Sequence, residues 1–170
     1  MLRQQVRKLA SLRGRRTYQP WRRSLLMATV DDLDQVIEQY KRALNEFLKG
    51  NPEPHKMMFS RREDATLLNP FGSLDYGSEQ VAETMERFAS QISDGEVTSF
   101  DVLGKYVTPG LAYVVWVERS KAKAGGRQEV LPFDLRVTLI FRPEEGTWKV
   151  VHRHADSMTM ARPIESVIQE

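Results

Sequence analysis

The stretch from Pro132 to Asp156 constrains the fold more than any other part of the sequence, because it predicts two β-strands joined by a tight Pro-Glu-Glu-Gly turn. Alternation in the first strand puts five hydrophobic side chains on one face: Phe133, Leu135, Val137, Leu139 and Phe141. The same alternation in the second strand groups Trp148, Val150, His152, His154 and Asp156. Arg136 and two histidines beside apolar neighbours would suit a polar corner in an apolar pocket.

The rest of the chain predicts helices first and strands afterwards. We expect a helix over 29–49 that begins near Thr29, followed by a helical turn over 54–59 with His55 exposed at its start. A strand over 64–70, a loop over 71–77 and a helix from Ser78 to about 94 come next. Strands over 97–107, 111–119, 130–142 and 147–156 follow, and their short connections make them antiparallel. This order predicts an α+β fold with helices on one face of a curved antiparallel sheet. Because the strands are apolar on both faces, we expect a homodimer that forms through the open sheet face.

The net charge of +2 conceals an uneven distribution. Residues 1–27 carry eight basic residues and no acidic one, which leaves a body with a formal charge of −6. Nucleic acid is therefore an unlikely partner of the body. The segment 1–27 is expected to be a basic extension, disordered or weakly helical. It could be a targeting or membrane-surface segment, a nucleic-acid-binding arm, or a solvated extension upstream of a true start at Met27.

Composition excludes several classes of protein. The 170 residues suit one domain, and no apolar run approaches the ~20 residues of a membrane-spanning helix. The absence of cysteine excludes disulfides, thiolate metal sites and cysteine nucleophiles. We expect a cytoplasmic protein with one domain over 28–157 and a C-terminal tail over 158–170.

The order of elements and two stretches carry a family resemblance. Asn69-Pro70-Phe71-Gly72 after the short strand, and the ending Arg-Val-Thr through Gly-Thr-Trp-Lys-Val-Val-His-Arg-His, resemble the nuclear-transport-factor-2-like (NTF2-like) superfamily. Within it, the chain is most similar to bacterial SnoaL-like proteins, which are polyketide-cyclase-like and ketosteroid-isomerase-like. The resemblance covers roughly 29–157 and implies a cone whose helices and curved sheet enclose a pocket. The superfamily includes isomerases, cyclases, dehydratases, ligand binders and association modules, so it does not fix an activity.

The resemblance also implies where site residues lie. His152 and His154 are candidate catalytic residues, because an imidazole can act as a general base near neutral pH. The candidate ligand-binding residues are Arg136, Glu118, Asp156, Trp116, Asn69, Phe71 and Tyr76. Arg136 would bind an anionic or enolate oxygen of a ligand.

Other interpretations of these residues stay open. Arg136 could pair with Glu118 or Asp134 across the sheet, and the two histidines could line the pocket or cap the strand end. A metal at His152 and His154 would need a third ligand, and nothing in the spacing demands one.

The leading functional hypothesis is a small-molecule-binding protein, with a cofactor-independent isomerase, cyclase or lyase activity on a hydrophobic carbonyl compound as an option. The alternative is a non-catalytic dimerisation or ligand-sensing module.

Overall fold

A computed structural model of the chain describes residues 30–72, 74–159 and 163. The segment 1–27, Thr29 and most of the tail lie outside the described residues, so the predictions made for them stay predictions. The described elements are α1 Val30–Leu48, α2 Glu53–Lys56, β1 Thr66–Leu68, β2 Leu74–Tyr76, α3 Ser78–Ala89, β3 Ile92–Val107, β4 Ala112–Ala124, β5 Leu131–Glu144 and β6 Thr147–Ser157. Within the described ranges, no helix is both long and apolar enough to span a membrane.

The strands form one curved, open sheet in the order β2-β1-β6-β5-β4-β3. Strands β3 to β6 are consecutive antiparallel neighbours. The short strand β1 pairs parallel with β6 and antiparallel with β2. The α+β architecture, with N-terminal helices on a mostly antiparallel sheet, confirms the fold class expected from the sequence.

The helices cover one face of the sheet, which we call the inner face. Helix α1 has a strongly apolar side that packs against this face, as its helical spacing predicts. The buried residues of α1 are Leu33, Val36, Ile37, Tyr40, Ala43, Leu44 and Leu48. On the sheet they meet the inner-face residues Val114, Trp116, Val137, Leu139, Phe141, Trp148 and Val150. The opposite, outer face carries Tyr113, Thr138 and Ile140.

Several boundaries differ from the expected ones. The helix expected to reach residue 94 ends at Ala89, because β3 already starts at Ile92 and pairs with the far end of β4. The loop expected over 71–77 contains the short strand β2, whose Asp75 accepts a hydrogen bond of 2.9 Å from the Thr84 hydroxyl of α3. The sheet is also not a pure meander, since β1 joins it parallel to β6.

A β-bulge in β6 changes which residues share a face. Ile140 pairs with His152 and the next residue, Phe141, pairs with Val150, so Val151 is an extra residue in β6. Before the bulge, Val150 exchanges backbone hydrogen bonds with Met58 and Ser60; after it, β6 pairs with β1. The prediction that Trp148 and Val150 share a face with His152, His154 and Asp156 is therefore wrong.

Gly95 provides a test of the packing between α1 and the sheet. A Cβ atom at Gly95 would lie 2.6 Å from the Leu48 carbonyl oxygen and 2.9 Å from the Ala122 Cβ. We expect Gly95→Ala to lower the free energy of unfolding by about 1–3 kcal/mol, because overpacking forces the backbone to shift. Gly104→Ala in the same strand meets no atom within 4 Å and should change it little. Urea denaturation of both variants is the measurement, and equal stabilities would contradict this packing.

Candidate functional site

The structure separates the candidate site residues into two groups on opposite faces of the sheet. Glu118 and Trp116 lie on the inner face and are almost completely buried. Arg136 lies on the outer face by the regular alternation of β5. His152, His154 and Asp156 lie there too, because the bulge at Val151 reverses the alternation of β6. The side chain of Arg136 is 64% exposed, and its guanidinium Nη2 lies 3.8 Å from Asp156 Oδ2. Arg136 therefore pairs with neither Glu118 nor Asp134 and does not share a site with Glu118 and Trp116.

A buried network of hydrogen bonds surrounds Glu118. Trp116 Nε1 donates to Glu118 Oε1 at 3.0 Å, and Arg153 Nη2 donates to Glu118 Oε2 at 2.8 Å. Arg153 Nε donates to the Tyr40 hydroxyl oxygen at 3.0 Å. Together these contacts join β4 and β6, the two neighbours of β5 in the sheet, to α1. We call Tyr40, Trp116, Glu118 and Arg153 the inner polar network.

The environment of this network fixes the charges of its members. Burial opposes the positive charge of Arg153, but Glu118 and Tyr40 outweigh that effect and raise the pKa of Arg153 above its ordinary value. Burial also raises the pKa of Tyr40, against a smaller opposing effect of Arg153 and with a small additional rise from Glu118. Tyr40 is therefore a neutral hydroxyl that accepts a hydrogen bond from Arg153 and keeps its own proton available for donation.

His55 of α2 lies beside this network in a cage of aromatic rings. Its ring centroid is 5.0 Å from that of Tyr40, 5.2 Å from that of Phe47 and 5.4 Å from that of Phe59. The residue is 3% exposed, and neither Nδ1 nor Nε2 has a hydrogen-bond partner within residues 30–72 and 74–159. Burial, with a smaller contribution from the charge of Arg153, lowers the pKa of His55 to about 3. A buried imidazole without partners is unusual, because almost all buried polar groups are hydrogen-bonded.

The burial of His55 contradicts the expectation that it is an exposed helix-start residue. Its position in α2 does not determine its environment; the packing of α2 against α1 turns the imidazole toward Tyr40 and Phe47. Arg153 was also missed, since the period of two assigns it to the face opposite Trp148. The one signal that favours an inward Arg153 is Ala155, a small apolar residue that shares its strand face and is buried.

The two outer-face histidines have different surroundings. His152 Nδ1 shares a hydrogen bond of 2.8 Å with the Thr66 hydroxyl. Partial burial lowers the pKa of His152, and the charge of the nearby His154 lowers it further. His154 Nε2 lies 3.4 Å from Asp156 Oδ2. No group of three His, Asp or Glu side chains within residues 30–72 and 74–159 could hold a metal ion.

The remaining candidates lie near the β1–β2 connection. The Asn69 side-chain oxygen accepts a hydrogen bond of 3.0 Å from the Phe71 backbone, which shapes the turn. Phe71 is exposed and its ring lies 4.9 Å from that of Phe88. Tyr76 is exposed at the edge of the sheet. Phe71 and Tyr76, both exposed, therefore lie apart from the buried inner polar network.

A surface depression of about 370 Å³ lies on the solvent-facing side of α1 and α2, away from the sheet. Its lining residues are Gln39, Arg42, Ala43, Glu46, Pro54, Met57, Met58 and Lys149. Pro54 and Met57 flank the part of α2 that carries His55. Helix α2 therefore separates this depression from the aromatic cage.

Solved structures with the same fold come from several bacteria. A ketosteroid isomerase-like protein from Erwinia carotovora atroseptica has 13% identity and a TM-score of 0.63, over 76% of this chain and 95% of that one. An NTF2-like superfamily protein from Salmonella enterica serovar Typhimurium has 16% identity and a TM-score of 0.62, over 79% and 94%. A candidate calcium/calmodulin-dependent protein kinase II association domain from Xanthomonas campestris has 17% identity and a TM-score of 0.60, over 76% and 88%. At these identities the similarity establishes an NTF2-like fold.

The sequence itself identifies the family. Residues 33–161 match the SnoaL-like domain family, so the chain belongs to that family, as the resemblance of its final hairpin implies. No protein of curated function matches the sequence.

The buried imidazole of His55 predicts a particular dependence of stability on pH. Its folded pKa of about 3 lies below its ordinary value of 6.5, so folding favours the neutral form. This contribution to stability is complete above pH 6.5 and is lost as the pH falls from 6.5 toward 3. Urea unfolding should show that His55→Phe loses less stability between neutral pH and about pH 4.5 than the natural protein, by a difference of about 2 kcal/mol.

At neutral pH, His55→Phe should be at least as stable as the natural protein. Phenylalanine fits a cage formed by Tyr40, Phe47 and Phe59, and it removes two buried polar atoms that have no partner. A large loss of stability at neutral pH would show that the imidazole has a structural role.

Proposed function

We propose that the protein binds a hydrophobic small molecule that carries a carbonyl oxygen, at a site formed by Tyr40 and His55 on the inner face. The observation that carries this proposal is the buried His55 imidazole, which has no hydrogen-bond partner in the part of the chain that the structure describes. A buried polar group without a partner costs about 1–3 kcal/mol, and a ligand that bonds to it would recover this cost. Membership of the SnoaL-like family supports a small-molecule site in this part of the fold.

Tyr40 and His55 can donate hydrogen bonds to the same ligand. Arg153 donates to the Tyr40 hydroxyl oxygen, which leaves the hydroxyl proton free for a carbonyl oxygen. His55 is neutral at physiological pH and carries one N–H donor. The surrounding rings of Phe47 and Phe59 would contact the apolar part of the ligand.

A ligand can reach this cage by displacing α2. This helix has four residues, and its solvent-facing side lines the surface depression. Apart from the aromatic packing of His55, it is held by surface contacts, in which Lys56 pairs with Glu86 of α3 and Lys149 Nζ donates to the Met57 carbonyl at 2.7 Å. Surface ion pairs of this kind contribute little to stability.

The same two donors also support cofactor-independent isomerase, cyclase or lyase chemistry. Negative charge develops on a carbonyl oxygen when a base takes a proton from the adjacent carbon, and fixed neutral donors stabilise that charge. Because Glu118 is paired with Arg153, hydroxide from solvent would take the proton and become water. With a pKa of about 3, His55 would act as a donor and not as a base at neutral pH. Deuterium exchange of the methyl protons of methyl naphthyl ketone, followed by NMR, would distinguish an enzyme from a ligand-binding module.

Binding of methyl naphthyl ketone, measured by fluorescence titration, tests the site. We expect Tyr40→Phe and His55→Phe each to weaken binding at least tenfold, because each removes one donor. Arg136→Ala and His154→Ala are matched controls on the outer face, and both should bind as the natural protein does. Unchanged binding in the two inner variants, or loss in the two outer ones, would contradict a site at Tyr40 and His55.

The outer face favours a second role, self-association through the open sheet. The strand register aligns a row of side chains across all six strands: Tyr76, Thr66, His152, Ile140, Tyr113 and Tyr106. The rings of Tyr106 and Tyr113 stack at 5.9 Å, and both are exposed. Of this row, the three tyrosines are exposed and the other three residues are partly buried. Exposed aromatic groups aligned on an open sheet face are typical of a protein interface. The similar structure from Xanthomonas campestris is named for an association domain, which also supports this role.

Sedimentation velocity tests the homodimer. We expect the natural protein to sediment as a dimer and Tyr113→Asp as a monomer, because a charge would be buried in the interface. Leu131→Asp is the matched control, since Leu131 is also 40% exposed but belongs to the inner-face alternation of β5. A monomeric natural protein, or a dimeric Tyr113→Asp variant, would argue against this interface.

A further inference from the structure

We propose that Glu118 determines ligand specificity by neutralising Arg153, so that the inner site accepts uncharged carbonyl compounds and rejects carboxylates. This inference rests on the proposed binding site at Tyr40 and His55 and adds the chemical class of its ligand.

The inner site contains one full positive charge, and that charge is already compensated. Arg153 is 7% exposed and Glu118 is 2% exposed, and their side chains are joined at 2.8 Å. The remaining guanidinium contact goes to the neutral Tyr40 hydroxyl. The net charge of Arg153 and Glu118 together is zero, so the pair offers no uncompensated charge to a ligand.

The other polar groups at the site are neutral as well. His55 is held in its neutral form by burial and by the charge of Arg153, and Tyr40 is a neutral hydroxyl. Trp116 Nε1 is bound to Glu118 Oε1. The donors left for a ligand are therefore the Tyr40 proton, the His55 imidazole and the guanidinium N–H groups of Arg153 that bond neither Glu118 nor Tyr40, and none of them brings an uncompensated charge.

A carboxylate would be poorly compensated at this position. Removing an anion from water costs several kcal/mol unless a buried cation or several strong donors compensate it. Arg153 cannot do so while it is paired with Glu118, and the Glu118 carboxylate would repel a second anion nearby. An uncharged ketone, aldehyde or amide avoids this cost and still accepts hydrogen bonds from Tyr40 and His55.

Arg153 would become an anion-binding group if Glu118 lost its charge. Glu118→Gln keeps the size of the side chain and an oxygen that can accept from Trp116 or Arg153, but it leaves the guanidinium without a counterion. The variant should therefore prefer a carboxylate ligand, which would replace the missing charge. Glu118→Gln combined with Arg153→Gln restores a neutral site and should again prefer uncharged ligands.

The test compares three ligands of one shape: methyl naphthyl ketone, naphthamide and naphthoate, titrated at about pH 8, where naphthoate is ionised. We expect the natural protein to bind the ketone and the amide at least tenfold more tightly than naphthoate. Glu118→Gln should reverse this order, and the double variant should restore it. If Glu118→Gln does not fold, the relative affinities of the natural protein for the three ligands still test the proposal.

The outcomes separate the specificity of the site from its existence. Equal binding of naphthoate and ketone by the natural protein would overturn the role of Glu118 and leave the binding site intact. A folded Glu118→Gln variant that still rejects naphthoate would overturn it as well. Binding of none of the three ligands would instead remove the proposed binding site, and the specificity inference with it.

Discussion

The ion pair of Arg153 and Glu118 is the interaction on which the interior of this protein depends. It joins β6 and β4 across the intervening strand β5, and through the Tyr40 hydroxyl it also fixes α1 against the sheet. A buried ion pair is weak evidence for stability, because desolvation offsets much of the attraction between the charges. Removing one partner, in contrast, leaves a buried charge that is strongly destabilising. The pair therefore restricts which residues the interior can accept.

The neutrality of the interior follows from this pair and affects its neighbours. The charge of Arg153 contributes to the low pKa of His55, while burial is the larger cause. Tyr40 receives a hydrogen bond from the same guanidinium and remains protonated. Two neutral donors thus lie against a compensated charge, which suits recognition of a polar but uncharged group. The outer face, with its exposed charges and histidines, has a different chemical character.

The sequence predicts the architecture well because the relevant signals are local. The helical spacing of Leu33, Tyr40 and Leu44 predicts the buried side of α1, and the alternation of β5 predicts its inner face. Glu118 is a candidate in the sequence because its strand position resembles a polar position of the NTF2-like cavity. These features depend on residues close together in the chain.

The composition of the inner site was less predictable, since it depends on contacts between distant segments. Burial of His55 arises from the packing of α2 against α1, and no local pattern reveals it. Arg153 was assigned to the wrong face, because an alternation read through Val151 does not detect the bulge. The bulge occurs where β6 changes its neighbour from the segment around Phe59 to β1, which is a property of the fold.

The bulge at Val151 also has an evolutionary consequence. The side-chain period of a strand is two, so loss of the bulge without a change in chain length would turn every later residue of β6 to the opposite face. His152 and His154 would then point toward the helices, and Arg153 would point outward. Loss or gain of one bulge could in this way exchange the chemistry of the interior for that of the exterior while the backbone architecture is kept. Such one-residue shifts of strand register offer a short route by which relatives with one fold acquire different sites.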